Sequence, residues 1–383
     1  MQPQPPAGNP TPSPPLWSRP PKGGGGSGVF AVVGIVVAAI VGLLVIGYLA
    51  VGLGLSTFAI GAALALLPLA VVLLTIRWVD RWEPEPRWAL WFAFLWGAAV
   101  SVAFALVVDL GIQLAIAFAE SGATPDEALQ AVVQAPLVEE TAKGIGVLLI
   151  YVFSRSHFDG PVDGLVYGAT VAAGFAFTEN IIYFGSALIE GGPDELGATF
   201  VVRGLFSPFA HVLFTACTGI AIGIGARRGG GAGVVGWFLL GLTGAVLLHA
   251  LWNGSLAFAE DAIGLYFTVQ VPIFIVAVLV TVFLRREEIR VTRVRLAEYG
   301  AAGWFSPAEV QMLATPAGRR QARAWARAQT PPRTAEMRRL ISDATHLAFT
   351  RQRLITGRAG LRSSVDERTL LQAVSADRAA LLR

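Results

Sequence analysis

Eight continuous apolar runs divide most of the chain, covering about 29–51, 55–76, 88–119, 129–153, 162–188, 200–225, 233–259 and 263–284. Each is near or above the ~20 residues a helix needs to cross a hydrocarbon layer. The pattern predicts an all-α polytopic bundle with about eight transmembrane helices as one domain over 29–284. The third run exceeds one crossing, and Gly97 and Gly111 are candidates for a bend there. Residues 1–28 are rich in Pro and Gly with nothing apolar at helical spacing, and read as a disordered tail. That tail lacks the charged start of a secretory signal, so the first run is expected to be a retained helix. Beyond the last run, 285–383 holds helical-looking pieces at 322–327 and 335–349, broken by Thr315-Pro316 and Pro331-Pro332. Its apolar content is too thin to predict an independent domain.

Composition agrees with the pattern. The 383 residues are 54% hydrophobic and only 14% charged, with a mean hydropathy of +0.61. A soluble domain is nearer a quarter charged, so that class is excluded. Lys and Arg fall in alternate loops: Arg19 and Lys22, then Arg77, Arg81 and Arg87, then Arg155, Arg227 and Arg228, and finally Arg285 and Arg286. The opposite loops carry Glu120, Asp126, Glu127, Glu190, Asp194, Glu195, Glu260 and Asp261, with Arg203 the basic exception. This asymmetry predicts that both termini are cytoplasmic, and Trp78, Trp82, Trp88 and Trp91 bracket one inner interface. From Arg285 onward there are 19 Arg against 9 Asp and Glu. A basic segment beside a membrane is drawn to anionic lipid, and no nucleic-acid fold signature is present to suggest that partner. Cys217, the single cysteine, reads as a small buried hydrophobe.

The fourth run breaks the rule that spanning helices avoid charge. It contains Glu139, Glu140 and Lys143, and each charge near a bilayer centre costs about 2.5–3.5 kcal/mol on insertion scales. Glu139 lies ten residues into an inward-running span, so roughly 15 Å deep. Glu179, His211 and His249 fall at a similar depth on the next three runs. Four ionisable groups at one level on successive helices can converge in a polar cavity. Residues at i and i+4 share a helix face, so Glu139 can pair with Lys143, and His249 and Asn253 line the same side. Lys143 is one of only two lysines against 27 arginines. Adjacent carboxylates suit proton transfer from water to a leaving amine, while His211, His249 and Asn253 could stabilise an oxyanion. Two His and two Glu could equally ligate zinc, but the local His-Glu-x-x-His spacing is missing, so no cofactor is expected. The plainer reading is that such groups glue helices together by buried hydrogen bonds. Asp109 is expected at the interface.

These residues resemble a known family. Glu139-Glu140-x-x-Lys143, Phe175-x-x-x-Glu179-Asn180, His211 and His249, together with Asp80-Arg81-Trp82-Glu83-Pro84-Glu85-Pro86, are similar to the PrsW family of membrane proteases over about 55–284. The resemblance implies a glutamate-dependent intramembrane endopeptidase of the bacterial plasma membrane, related to the CaaX proteases and bacteriocin-processing proteins. It implies that the glutamate pair activates water, and that His249-x-x-x-Asn253 stabilises an oxyanion. Glu179-Asn180 stands where the CaaX branch has histidine, which favours the PrsW branch. The implied substrate is a membrane-anchored protein with a transmembrane segment, such as an anti-sigma factor. The alternatives are a proton- or ion-coupled transporter and a non-catalytic membrane scaffold. The residues leave open which glutamate is the base, and the oligomeric state.

Overall fold

The computed structural model describes residues 25–118, 126–154, 158, 160–228, 232–258, 261–356 and 363–382. Residues 1–24 of the expected tail, and Glu120, Arg155 and Glu260 of the charge pattern, lie outside them. Regular structure among the described residues is helical throughout, with four π-helical segments. Helices α1 (Gly25–Leu53) and α2 (Leu55–Val79) form the first two spans. The third run is α3 (Arg87–Leu95) and α4 (Val102–Phe118), joined by a π segment at Trp96–Ser101 where a bend was expected. The fourth is α5 (Glu127–Leu129), a π segment at Gln130–Gln134, and α6 (Ala135–Phe153). Then follow α7 (Pro161–Phe200), a π segment at Val201–Phe206, α8 (Ala210–Arg227) and α9 (Ala232–Phe258). The eighth run is α10 (Ala262–Leu265), a π segment at Tyr266–Gln270, and α11 (Val271–Ala301).

Among the described residues six helical runs are long and apolar enough to cross a bilayer. Two features account for the difference from eight. The run 161–227 holds two helices, α7 and α8, and the charges of α6 interrupt its apolar stretch. α7 itself breaks at Gly192 (φ 71°, ψ −158°), followed by Pro193. A positive φ is open to glycine without steric cost, so the fifth span ends there.

α7 is the hub. Glycines let its neighbours approach backbone to backbone, the interface device of helices that have no hydrophobic effect to drive them together in lipid. A Cβ on Gly164 would lie 1.9 Å from the Gly219 carbonyl oxygen of α8, and one on Gly219 2.0 Å from that of Gly164. On another side, a Cβ on Gly97 would lie 1.8 Å from the Val171 oxygen. Because backbone atoms cannot move aside, Gly164→Val is expected to destabilise the bundle by roughly 3 kcal/mol. Gly236, with nothing within 4 Å of its would-be Cβ, should tolerate the same change. Heat-induced unfolding of the two variants in detergent checks the contrast.

The region expected as a basic tail packs α12 (Pro307–Leu313), α13 (Pro316–Ala328), α14 (Thr334–Ile355) and α15 (Ser363–Leu382) against the end of α11. Their shared core includes Leu296, Tyr299, Leu313, Met337, Leu340 and Leu347. This body is joined to the loop between α2 and α3. Arg319 stacks on Trp82, 3.4 Å from the ring centroid, and donates to the Trp82 carbonyl at 3.0 Å. Trp82 Nε1 in turn donates to Thr292 Oγ1 at 3.0 Å. In the same loop Glu85 accepts from the Tyr167 hydroxyl of α7. Burial and the neighbouring Asp163 push the Glu85 carboxyl well above the usual carboxylate range.

Candidate active site

The four groups expected at one depth do meet, each delivered by its own helix. On α6 the i, i+3 and i, i+4 spacing turns Glu139, Glu140 and Lys143 to one face. Lys143 Nζ lies 3.2 Å from Glu139 Oε2 and 2.8 Å from Glu140 Oε1. It also lies 3.0 Å from His211 Nδ1 of α8, and 3.7 Å from the centroid of the Phe175 ring of α7. A buried ammonium among three acceptors and an aromatic face is fully paired, which its location demands. Trp96 Nε1 fixes α6 from behind by donating to the Ala142 carbonyl at 2.9 Å.

The two glutamates differ in environment. Glu140 is fully buried, with 0% side-chain exposure, against 12% for Glu139. Glu140 Oε2 accepts from Thr215 Oγ1 at 2.8 Å, and Oε1 lies 3.2 Å from His249 Nδ1 in addition to Lys143. Glu139 lines a cavity of about 110 Å³ together with Glu179, Asn180, Arg203, His211, His249 and Asn253. Among the described residues only Lys143 donates to its carboxylate.

The far wall is set by α7 and α8. Glu179 Oε2 lies 2.8 Å from His211 Nε2 and accepts from Arg203 Nη2. Arg203 Nε donates to Asn180 Oδ1 at 2.8 Å, and its guanidinium sits 3.9 Å from the Tyr183 ring centroid. The His249 ring stacks on Phe214, with centroids 4.6 Å apart. Asn253 borders the cavity but spends one amide hydrogen on the Ala131 carbonyl, at 2.7 Å. Asp109 stands apart, accepting from Gln113 at 2.7 Å and Gln134 at 3.4 Å.

Two members of the site were not anticipated. Arg203 stood out in the sequence as the basic exception among acidic loops, which was its signal. Thr215 sits one turn after His211 on the same helix face, but a threonine in a membrane helix is too common to single out. The assembled donors also bear on the expectation of no cofactor. One ligand atom each from Glu139, Glu140, His211 and His249 lies within 4.8 Å of the others, although no two of the histidines share a local motif. The missing His-Glu-x-x-His spacing therefore does not argue against an ion, because the donors come from three helices.

The family model for "PrsW family intramembrane metalloprotease" matches residues 85–281. Among curated relatives, Protease PrsW of Geobacillus kaustophilus is 32% identical over 144 residues, 38% of this chain and 57% of that protein. Protease PrsW of Bacillus subtilis is 36% identical over 116 residues, 30% of this chain and 49% of the relative. Protease PrsW of Clostridioides difficile is 30% identical over 159 residues, 42% of this chain and 63% of the relative. The chain thus spans between 49% and 63% of the length of these three relatives. No solved structure matches it. With the matched segment running from Glu85 in the loop before α3 to the membrane part of α11, and enclosing every residue of the cavity, the chain belongs to the PrsW family of intramembrane metalloproteases.

Proposed function

We propose that the chain is an intramembrane endopeptidase that hydrolyses a peptide bond in a membrane-anchored protein, with Glu139 as the general base. One observation carries this reading: of two adjacent glutamates, Glu140 is sealed behind three protein donors, while Glu139 faces the cavity with one oxygen unclaimed by any described residue. Glu139 takes the proton of the attacking water and returns it to the leaving amine. Lys143 holds the carboxylate in place, and Glu140 anchors Lys143. His249 and the second amide hydrogen of Asn253 face the oxyanion that forms on the scissile carbonyl. Glu179 orients His211 by holding its Nε2. The Arg-rich ends of the spans face the cytoplasm, so the cavity opens toward the outer leaflet and the helices after α11 lie on the cytoplasmic side.

The residues fit a divalent ion. Glu139, Glu140 and Glu179 outnumber Lys143 and Arg203, leaving one negative charge when the imidazoles are neutral. Two imidazoles and two carboxylates are ordinary ligands for zinc, and Glu179 on His211 matches the outer carboxylates that orient ligating histidines. Glu140, His211 and His249 would hold the ion, which would supply a Lewis acid beside the cavity in place of the contact of His249 with the oxyanion, and Glu139 would stay free as the base. The expected result is about one zinc ion per purified chain, and loss of cleavage of a single-span reporter in proteoliposomes on chelation. Activity should return when zinc is added back. Full cleavage by a metal-free chain would strike the ion from the scheme and leave Glu139 with Lys143. Failure to cut any reporter in a varied panel, with proton-driven solute flux instead, would overturn the endopeptidase reading.

A further inference from the structure

The arginines from the end of α11 onward are not all engaged alike. Arg290, Arg295, Arg339, Arg351 and Arg378 each hold a carboxylate: Glu287, Glu298, Glu336 with Asp377, Glu298 with Glu367, and Glu309 respectively. Their charges are matched within the protein. Arg323, Arg327 and Arg338 are different, and so is Arg81 in the loop after α2. Among the described residues none of the four has a hydrogen-bond or ion-pair partner. They are nonetheless drawn together: the guanidinium of Arg323 is held below its ordinary range by partial burial and by the charges of Arg81, Arg338 and Arg327.

The sequence builds this cluster deliberately in space. Arg319, Arg323 and Arg327 follow one another at i, i+4 and i+8 on α13, so they form a single stripe. Arg319 is the buried end of the stripe, spent on the carbonyls of Leu313 and Trp82 and on Thr345 Oγ1. That clamp places the unpaired members beside Arg81, two residues past the end of α2. The level in the membrane is marked by Trp78, 48% exposed, whose ring carries the Arg285 guanidinium at 3.9 Å. A half-exposed tryptophan capped by arginine at a helix exit marks the headgroup zone. Four guanidiniums at that level hold no carboxylate in an ion pair among the described residues.

We propose that Arg81, Arg323, Arg327 and Arg338 form a headgroup site for an acidic phospholipid of the adjoining leaflet, which the C-terminal helices close against the loop before α3. Guanidinium forks match phosphate oxygens in bidentate fashion, and clusters of this size immediately beside a spanning helix suit anionic lipid. The site stands at the opposite end of the bundle from the cavity, and its test does not depend on proteolysis.

The test uses the full chain in a neutral detergent, with lipid binding read by native mass spectrometry and by the shift in unfolding temperature. Phosphatidylglycerol is expected to bind and stabilise the protein, phosphatidylcholine to do neither, and added salt to weaken the phosphatidylglycerol effect on the unmodified chain. A variant carrying R81Q, R323Q, R327Q and R338Q should bind phosphatidylglycerol at least about tenfold more weakly. Equal binding of the two lipids by the wild-type chain, or salt-insensitive binding, would overturn the proposal whether or not the variant folds. Unchanged phosphatidylglycerol affinity in the variant would do the same. Inorganic phosphate reproducing the full stabilisation would show a soluble-anion site in place of a lipid one, and so would also overturn it.

Discussion

Glu139→Gln is expected to lower kcat by about 10²–10⁴-fold, the usual worth of a positioned general base, while leaving the chain folded. The two halves of that expectation have separate causes. Glutamine keeps the volume of glutamate and can still meet Lys143, so the contact at 3.2 Å is weakened but not emptied. It cannot accept a proton from water. Glu140→Gln should show the reverse emphasis. Glu140 accepts from Thr215 and Lys143 and faces His249, so an amide would place donor against donor at one of these contacts and cost stability first. The readout is reporter cleavage in proteoliposomes at matched protein levels, beside an unfolding curve for each variant. Wild-type turnover by Glu139→Gln would remove it as base, and a severe fold defect in that variant would mean its charge is structural.

The second large effect concerns the ammonium. Lys143→Met is expected to destabilise the chain by about 3–5 kcal/mol, the cost of stranding buried charge when one partner of an ion pair is removed. Two carboxylates depend on Lys143, and its side chain and that of Glu140 are entirely shielded from solvent, so Glu140 would be left buried without its counter-charge. Adding Glu140→Gln should recover part of the loss, giving a coupling of about 1–3 kcal/mol between the two sites. Strictly additive effects would show that the pair does not stabilise through its charges. Lys143→Arg should not restore the wild type, because a planar fork cannot occupy a point shared by three acceptors and the face of Phe175.

Much of the architecture was legible because a bilayer imposes one length on every span, and apolar runs announce it. The convergence of Glu139, Glu179, His211 and His249 was legible for the same reason: equal depth on successive helices is a coordinate that can be counted along the chain. Lateral position is not. Nothing in the spacing says that Thr215 reaches Glu140 or that Arg203 folds inward onto Glu179, since both depend on how the helices rotate about their axes. The packing of the C-terminal helices was hidden by small residues. Ala314, Ala322 and Ala326 fill part of that core with 0–5% exposure, and alanine contributes little to an apolar pattern while allowing helices to approach closely.

The glycine contact between α7 and α8 has a kinetic side. Glu179 and His211 ride on two helices with no side chain between their backbones near Gly164 and Gly219, so there is no compressible layer through which the two walls could shift. A cavity with fixed walls has little to reorganise when charge develops on the substrate. A substrate helix, by contrast, arrives with every carbonyl engaged in its own hydrogen bonds and must come apart before a peptide bond can lie against Glu139. On the proposed endopeptidase reading, the slow step would be set by how easily the substrate unwinds, and the stability of its transmembrane segment, more than its side chains, would govern which proteins are cut.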